Sequence, residues 1–310
     1  MEHSRSNVEF RVLACIHNEE SVSALINLLE ASNPTRESPL CVYLIHLVEL
    51  IGRETPLLIS HDVSISSSSP SKPYDTVGCI INAFRSFQQQ NEGLVAMHDD
   101  ICTLAMDRRT YLIIIPFDKF ASLSVKNVNR NILDKAPCSV ALFIDRGKLK
   151  APRSMLTSRS FYHIAVAFLG GPDDREALAY AIRMVQHPSI NPTVVRFVAA
   201  NSNNLNSDDF TEKKLDVQSI NSFRVSLIDN DCAVYREEVV QDGPGTVNVI
   251  RAIENDFDLI LVGRRHEQNL PLLAGLADWT ELDELGIIGD ILVSLDSKTL
   301  SVLVVQQQCQ

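Results

Sequence analysis

The sequence predicts an α/β protein made of two tandem halves, each a doubly wound parallel sheet. Three observations carry that reading. Short Val/Ile/Leu-rich runs lack the polar alternation of a half-exposed sheet, so they read as strands covered on both faces. Helical patterns lie between them, and the order of elements occurs twice. The strands expected in the first half are Arg11 to Ile16, Cys41 to Leu47, Tyr111 to Pro116 and Val140 to Asp145. Those expected in the second are His163 to Leu169, Thr193 to Ala199, Leu259 to Gly263 and Leu300 to Val305. Helix Ser21 to Ala31 places Val22, Leu25, Ile26 and Leu29 on one face, and helix Arg175 to Val185 does the same with Leu178, Ile182 and Val185.

The two halves align element by element. Leu25 corresponds to Leu178 and Pro116 to Gly263, while Val140 corresponds to Val302, a separation of 302 − 140 = 162 residues. Loop lengths drift while the order holds, as in an internal repeat. The expected organisation is a first domain over residues 1–148, a basic linker over 149–159 and a second domain over 160–310. The basic run from Arg146 to Arg159 holds five Lys or Arg and no acid after Asp145. A serine-rich stretch, Asp62 to Pro73, is expected to be a loop inside the first domain.

Composition narrows the function. With 45% hydrophobic and 22% charged residues over 310 positions, the chain is apolar enough to fold. Its net charge of -11 argues against a nucleic-acid partner, whose phosphates are gripped by clustered cations. Seven cysteines include no C-x-x-C, so zinc knuckles and redox dithiols are disfavoured and a reducing compartment is expected. The amino end has no apolar signal core, and no run approaches the length of a membrane span.

In doubly wound sheets ligands sit at the carboxyl ends of strands. After the second half's first strand comes Gly170-Gly171-Pro172-Asp173-Asp174-Arg175-Glu176, which reads as a capped helix start whose carboxylates repel phosphate. The equivalent turn in the first half is His17-Asn18-Glu19-Glu20, with Asn18 as cap and His17 as the histidine placed to respond to pH. His98-Asp99-Asp100 point apart on any regular backbone and do not read as a metal site. Asp278 to Glu284, around the single Trp279, reads as an exposed acidic edge. No G-x-S-x-G, H-E-x-x-H or P-loop is present, so no catalytic residues, metal ligands or enzyme activity are expected.

The strand-helix order and the "DLILVGRR" ending resemble the universal stress protein fold, a Rossmann-like architecture whose nucleotide-binding members carry G-x-x-G, a spacer, then G-[ST]. Gly263 and Gly289 stand at cofactor-binding positions of that motif in degenerate form. His266 replaces its second glycine, Asp290 replaces the hydroxyl, and Pro116-Phe117 replaces the glycine start in the first half. An imidazole crowds a phosphate and a carboxylate repels it, so no cofactor is expected.

More specific strings are "HLVELIGRETPLLISH" (His46 to His61), "IIIPFDK" (Ile113 to Lys119), "NRNILDKAPCSVALFIDRG" (Asn129 to Gly147), "FLGGPDDREALAYAIRM" (Phe168 to Met184), "ELGIIGDILVS" (Glu284 to Ser294) and "SVLVVQQQ" (Ser301 to Gln308). They resemble the cytosolic carboxyl-terminal region of plant cation/proton exchangers of the monovalent cation:proton antiporter-2 group, along nearly the whole chain. One departure is Asp118, where that family usually has His after Pro-Phe. The resemblance implies a parent transporter exchanging K⁺ or Na⁺ for H⁺ across endomembranes or the plasma membrane. This chain is then its regulatory cytosolic portion in cation and pH homeostasis, without the membrane domain and soluble by itself. Partners implied are that antiporter domain, regulatory proteins and a second copy in a homodimer. The alternative is a stand-alone nucleotide-binding universal stress-like protein.

Overall fold

The structure is a computed structural model that describes residues 9–17, 19–35, 38–47, 101–146, 161–200, 207–226, 233–267, 270–295 and 299–308. Asn18, His98 to Asp100, the serine-rich stretch and the linker 149–159 lie outside the described residues.

In the first half the described elements are β1 (Phe10–Ile16), α1 (Val22–Ala31), β2 (Leu40–His46), α2 (Cys102–Asp107), β3 (Leu112–Pro116), α3 (Leu123–Lys135) and β4 (Ser139–Ile144). The second half contains β5 (Tyr162–Phe168), α4 (Pro172–Val185), β6 (Ile190–Ala199), α5 (Ser207–Ser226), β7 (Val234–Val240), α6 (Gly243–Ile253), β8 (Leu259–Gly263), α7 (Gly286–Ser294) and β9 (Ser301–Gln306). Seven of the eight strands read from the sequence are present to within a residue at either end; β6 starts at Ile190, three residues before the expected Thr193. Strand β7 and helices α2, α3, α5, α6 and α7 are additions.

All nine strands form one sheet in the order β2-β1-β3-β4-β9-β8-β5-β6-β7. Pairing is parallel within each half and antiparallel only between β4 and β9. Both of these strands are buried along their whole length, and each would be an apolar open edge if its half stood alone. Their register shows how the halves are related. Val140 pairs with Gln306 and Ile144 with Val302, so each residue faces the repeat equivalent of the other, and Leu142 faces its own equivalent, Val304. A local twofold therefore passes between Leu142 and Val304. The carboxyl edges of the two halves consequently point in opposite directions.

Alternation along the strands divides the core into two layers. One face of the sheet carries Val12, Ala14, Leu112, Phe143, Val166, Leu261 and Leu303 against α1, α4 and α5. The other carries Leu13, Ile113, Leu142, Ala167, Val262 and Val304 against α2, α3, α6 and α7. Each layer runs through both halves, giving a three-layer α/β/α arrangement. The described cysteines form no disulfide. Burial pushes Cys15 up to about 12 and Cys138 up to about 11, so both behave as core hydrophobes and not as nucleophiles.

Helix α4 also holds the halves together. Glu176, Tyr180 and Arg183 share one face at helical spacing. Ser139 Oγ donates to Glu176 Oε1 at 2.7 Å, Tyr180 and Ser32 share a buried hydroxyl hydrogen bond of 2.6 Å, and Arg183 Nη1 donates to Ser38 Oγ at 2.7 Å. The guanidinium of Arg183 also lies 4.5 Å from the centre of the Phe10 ring.

Candidate functional site

At the second half's carboxyl edge, the ends of β5, β8 and β9 converge on the first turn of α4. The chain leaves β5 through Gly170 and Gly171, with φ of 119° and 98°, a region that glycine enters without steric cost. Pro172 then opens the helix. This turn aims Asp173 and Asp174 inward. Asp174 Oδ2 accepts from the amides of Leu169 (2.7 Å) and Gly170 (2.9 Å), and Oδ1 accepts from the amide of Gly263 (2.7 Å). Asp173 Oδ2 accepts from the amide of Arg265 (2.8 Å), and Oδ1 accepts from Arg265 Nη2 (2.7 Å) and the amide of Gln307 (2.8 Å).

Asp173 and Asp174 therefore do sit at the positive end of the α4 dipole, as the sequence indicates. Unlike solvated caps, however, they and Glu176 are fully buried. They satisfy the amides that a phosphate would need, and clamp three strand ends to one helix.

His266 completes the cluster. Its Nε2 lies 3.2 Å and 3.3 Å from the Asp174 carboxylate oxygens, and its Nδ1 is buried with no hydrogen-bond partner. Burial lowers its pKa, but the attraction and hydrogen bond of Asp174, with Asp173 behind, prevail, and the net direction is upward.

The two glycines of the degenerate motif have separate surroundings. A Cβ on Gly263 would stand 2.5 Å from Asp174 Oδ1 and 2.6 Å from the Asp174 amide nitrogen. The missing side chain admits the α4 N-terminus. Gly289 lies on the opposite face of the sheet, where a Cβ would stand 2.8 Å from Val304 Cγ2. Its neighbour Asp290 is buried and accepts from the amide of Glu281 at 2.7 Å, holding the preceding loop.

Two side chains of this edge, Arg264 and Gln306, were given no role in the sequence reading. Arg264 Nη1 donates to Gln306 Oε1 (2.7 Å), its Nε donates to the Glu284 carbonyl (2.8 Å), and Gln306 Nε2 donates to the Leu133 carbonyl (2.7 Å). The available clue was the two arginines closing β8 opposite two aspartates opening α4.

The first half's carboxyl edge, at the opposite end of the strands, is open. A cleft of about 610 Å³ lies between the ends of β1, β3 and β4 and the C-terminal turn of α7, lined among others by His17, Phe117, Asp118, Phe120, Asp145 and Val293. Arg146 closes one wall by donating to the carbonyls of Val293 and Leu295. The Nε2 of His17 is buried with no hydrogen-bond partner. Burial lowers its pKa, His46 adds to that, and Asp118 opposes it. Among the described residues no three His, Cys, Asp or Glu side chains are grouped to hold a metal ion.

Fold and edges together define a class: a tandem, doubly wound α/β module in which one ligand edge is filled by its own carboxylates and the other is an open cleft. Two family models match the chain, "Plant cation/H(+) antiporter domain" over residues 42–148 and "Plant cation/H(+) antiporter, C-terminal domain" over residues 161–306. The chain belongs to the plant cation/H⁺ antiporter family.

Among curated relatives, Cation/H(+) antiporter 14 of Arabidopsis thaliana is 41% identical over 97% of this chain and 39% of its own length. Cation/H(+) antiporter 15 of the same plant is 41% identical over 99% of the chain and 42% of its own length. The chain thus spans about two fifths of the curated relatives it matches. Among solved structures, the cytoplasmic domain of a prokaryotic cation chloride cotransporter superposes with a TM-score of 0.51 at 9% identity, covering 96% of this chain and 95% of that one. A universal stress protein from Archaeoglobus fulgidus gives a TM-score of 0.45 at 10% identity, covering 96% of each chain. No helix among the described residues is long and apolar enough to cross a membrane.

Proposed function

We propose that this chain is the regulatory portion of a monovalent cation/proton antiporter, exchanging K⁺ or Na⁺ for H⁺ and serving cation and pH homeostasis. It acts from the cytosolic side of an endomembrane or the plasma membrane, through contacts with the antiporter's membrane-spanning part and with other proteins, and performs no catalysis of its own. The observation that carries this reading is the closed edge. Asp173 and Asp174 occupy the amides at the end of β5 and β8 that would otherwise receive an anionic ligand, so the second half's edge is left as a structural joint and not a ligand site. Membership of an antiporter family, in a chain matching two fifths of its relatives, supplies the transporter context.

The test joins this chain to the membrane-spanning part of a related antiporter and measures proton-coupled K⁺ and Na⁺ flux in vesicles, with and without it. The expected result is a changed rate or pH dependence at unchanged ion selectivity. Equal flux in both preparations, or altered selectivity, refutes the proposal.

A further inference from the structure

Three large apolar side chains stand in solvent where the turn that opens α3 adjoins the turn before Glu281: Phe120 is 89% exposed, Leu123, the first residue of α3, 80% and Trp279 83%. Single exposed hydrophobes are ordinary, but a group of them on one surface is the mark of a contact site. The two segments are bonded to each other, because Lys119 Nζ lies 3.4 Å from Glu281 Oε2 and Arg130, on α3, places Nη2 3.2 Å from Glu284 Oε1. Each segment is also held from within. The Phe120 amide donates to Asp118 Oδ1 at 2.9 Å, and Ser122 caps α3 by accepting from the Val125 amide. The turn carrying Trp279 is followed by the Glu281 amide bonded to the buried Asp290. The anchors are therefore presented by fastened turns, which lowers the ordering cost of binding.

The rim fixes the occupant. Glu281 and Glu284 are spent on Lys119 and Arg130, while the carboxylates of Asp118, Asp278 and Asp283 make no ion pair among the described residues. An apolar centre inside an acidic rim complements a surface that is apolar in the middle and basic at its margins. Anionic lipid headgroups would be repelled, and a second copy would set the same acids against each other. Beside the patch, the cleft behind Phe120 has Asp118 and Asp145 on its walls and room for a side chain.

We propose that this surface docks a basic amphipathic helix of a protein partner, its apolar face covering Phe120, Leu123 and Trp279 and its Lys or Arg side chains meeting Asp118, Asp278 and Asp283. The proposal does not depend on the transporter reading above.

Trp279 is the only tryptophan in the chain, so its emission reports this patch alone. The probes are a synthetic Leu/Lys amphipathic helix, its Leu/Glu counterpart, a Leu/Lys peptide of the same composition with scrambled spacing, and phosphatidylcholine/phosphatidylserine vesicles. The Leu/Lys helix is expected to shift Trp279 emission to the blue and shield it from iodide, less so as salt rises. Phe120→Ser with Leu123→Ser, both exposed and therefore neutral for folding, is expected to weaken that binding about tenfold or more. No response to the Leu/Lys helix overturns the proposal. So does an equal response to the Leu/Glu or scrambled peptide, while insertion into vesicles assigns the patch to lipid instead.

Discussion

The hydroxyl of Tyr180, in the second half, and that of Ser32, in the first, lie 2.6 Å apart in a site sealed from water. Ser32 Oγ also donates to the Leu28 carbonyl, so the Tyr180 hydroxyl is the proton donor of the pair. Because α4 reaches across to the first half here, and β4 pairs with β9, the halves should not unfold independently. Urea denaturation is predicted to give one transition, with fluorescence and far-UV dichroism coinciding. Tyr180→Phe, which deletes one buried hydrogen bond without opening a cavity, is expected to lower stability by about 1 kcal/mol. Two separated transitions would mean that the continuous sheet does not couple the halves.

Asp174 and His266 give the second half a defined pH response. The pKa of His266 is raised above 6.5 in the folded chain, so its contribution to stability is complete below that value and is lost as pH rises through the folded pKa. The groups facing it are Asp174 and Asp173, the latter already paired with Arg265. His17 and His187 are shifted downward by burial, and their contributions run the other way, present above pH 6.5 and lost as pH falls through their folded values. A proton NMR titration should therefore find His266 above the usual histidine midpoint and His17 and His187 below it. His266→Gln should remove the decline in urea midpoint above pH 6.5.

Asp174 itself is predicted to matter more than any pairing at the surface. Its carboxylate accepts from two buried amides and the half-buried one of Gly170 as well as facing His266, and Asp174→Ala would leave those donors without a partner. The expected cost is about 3–5 kcal/mol by chemical denaturation, as for a broken buried ionic contact. Asp174→Asn, which keeps one acceptor oxygen, should fall between it and the unaltered chain.

What could be read in the sequence, and what could not, follows from these contacts. Strands such as Ile113 to Ile115 and Leu259 to Val262 are buried on both faces, and uninterrupted apolar runs announce that directly. Strand β7 did not stand out, because Val-Tyr-Arg-Glu-Glu-Val-Val lies at the sheet's margin with Val234 and Val239 exposed, so its charges mask the pattern. Helix α5 was missed for a similar reason. Its contact with α4 runs through Asp216, paired with Arg175 at 2.7 Å, so its inner face is partly polar. At the site, the aspartates, arginines and glycines were all visible, but their burial was not, since only the folded turn at Gly170 and Gly171 decides whether Asp173 and Asp174 face water or each other's strands.

That turn also decides what Gly263 is for. If the residue served a phosphate, replacing it would impair a ligand and spare the fold. In the structure its missing Cβ is the space taken by the Asp174 carboxylate and amide, at 2.5 and 2.6 Å, and backbone at that distance cannot step aside cheaply. Gly263→Ala is therefore predicted to lower stability by about 1–3 kcal/mol through overpacking. Gly289→Ala, which first meets a Val304 methyl at 2.8 Å, should cost less because a side chain can yield. In the same thermal-shift experiment millimolar ATP should move the midpoint of neither variant nor of the unaltered chain, since a ligand raises apparent stability only by binding the folded state. Stabilisation by ATP that Gly263→Ala abolishes would instead return this edge to nucleotide binding and make Asp173 and Asp174 a gate rather than a plug.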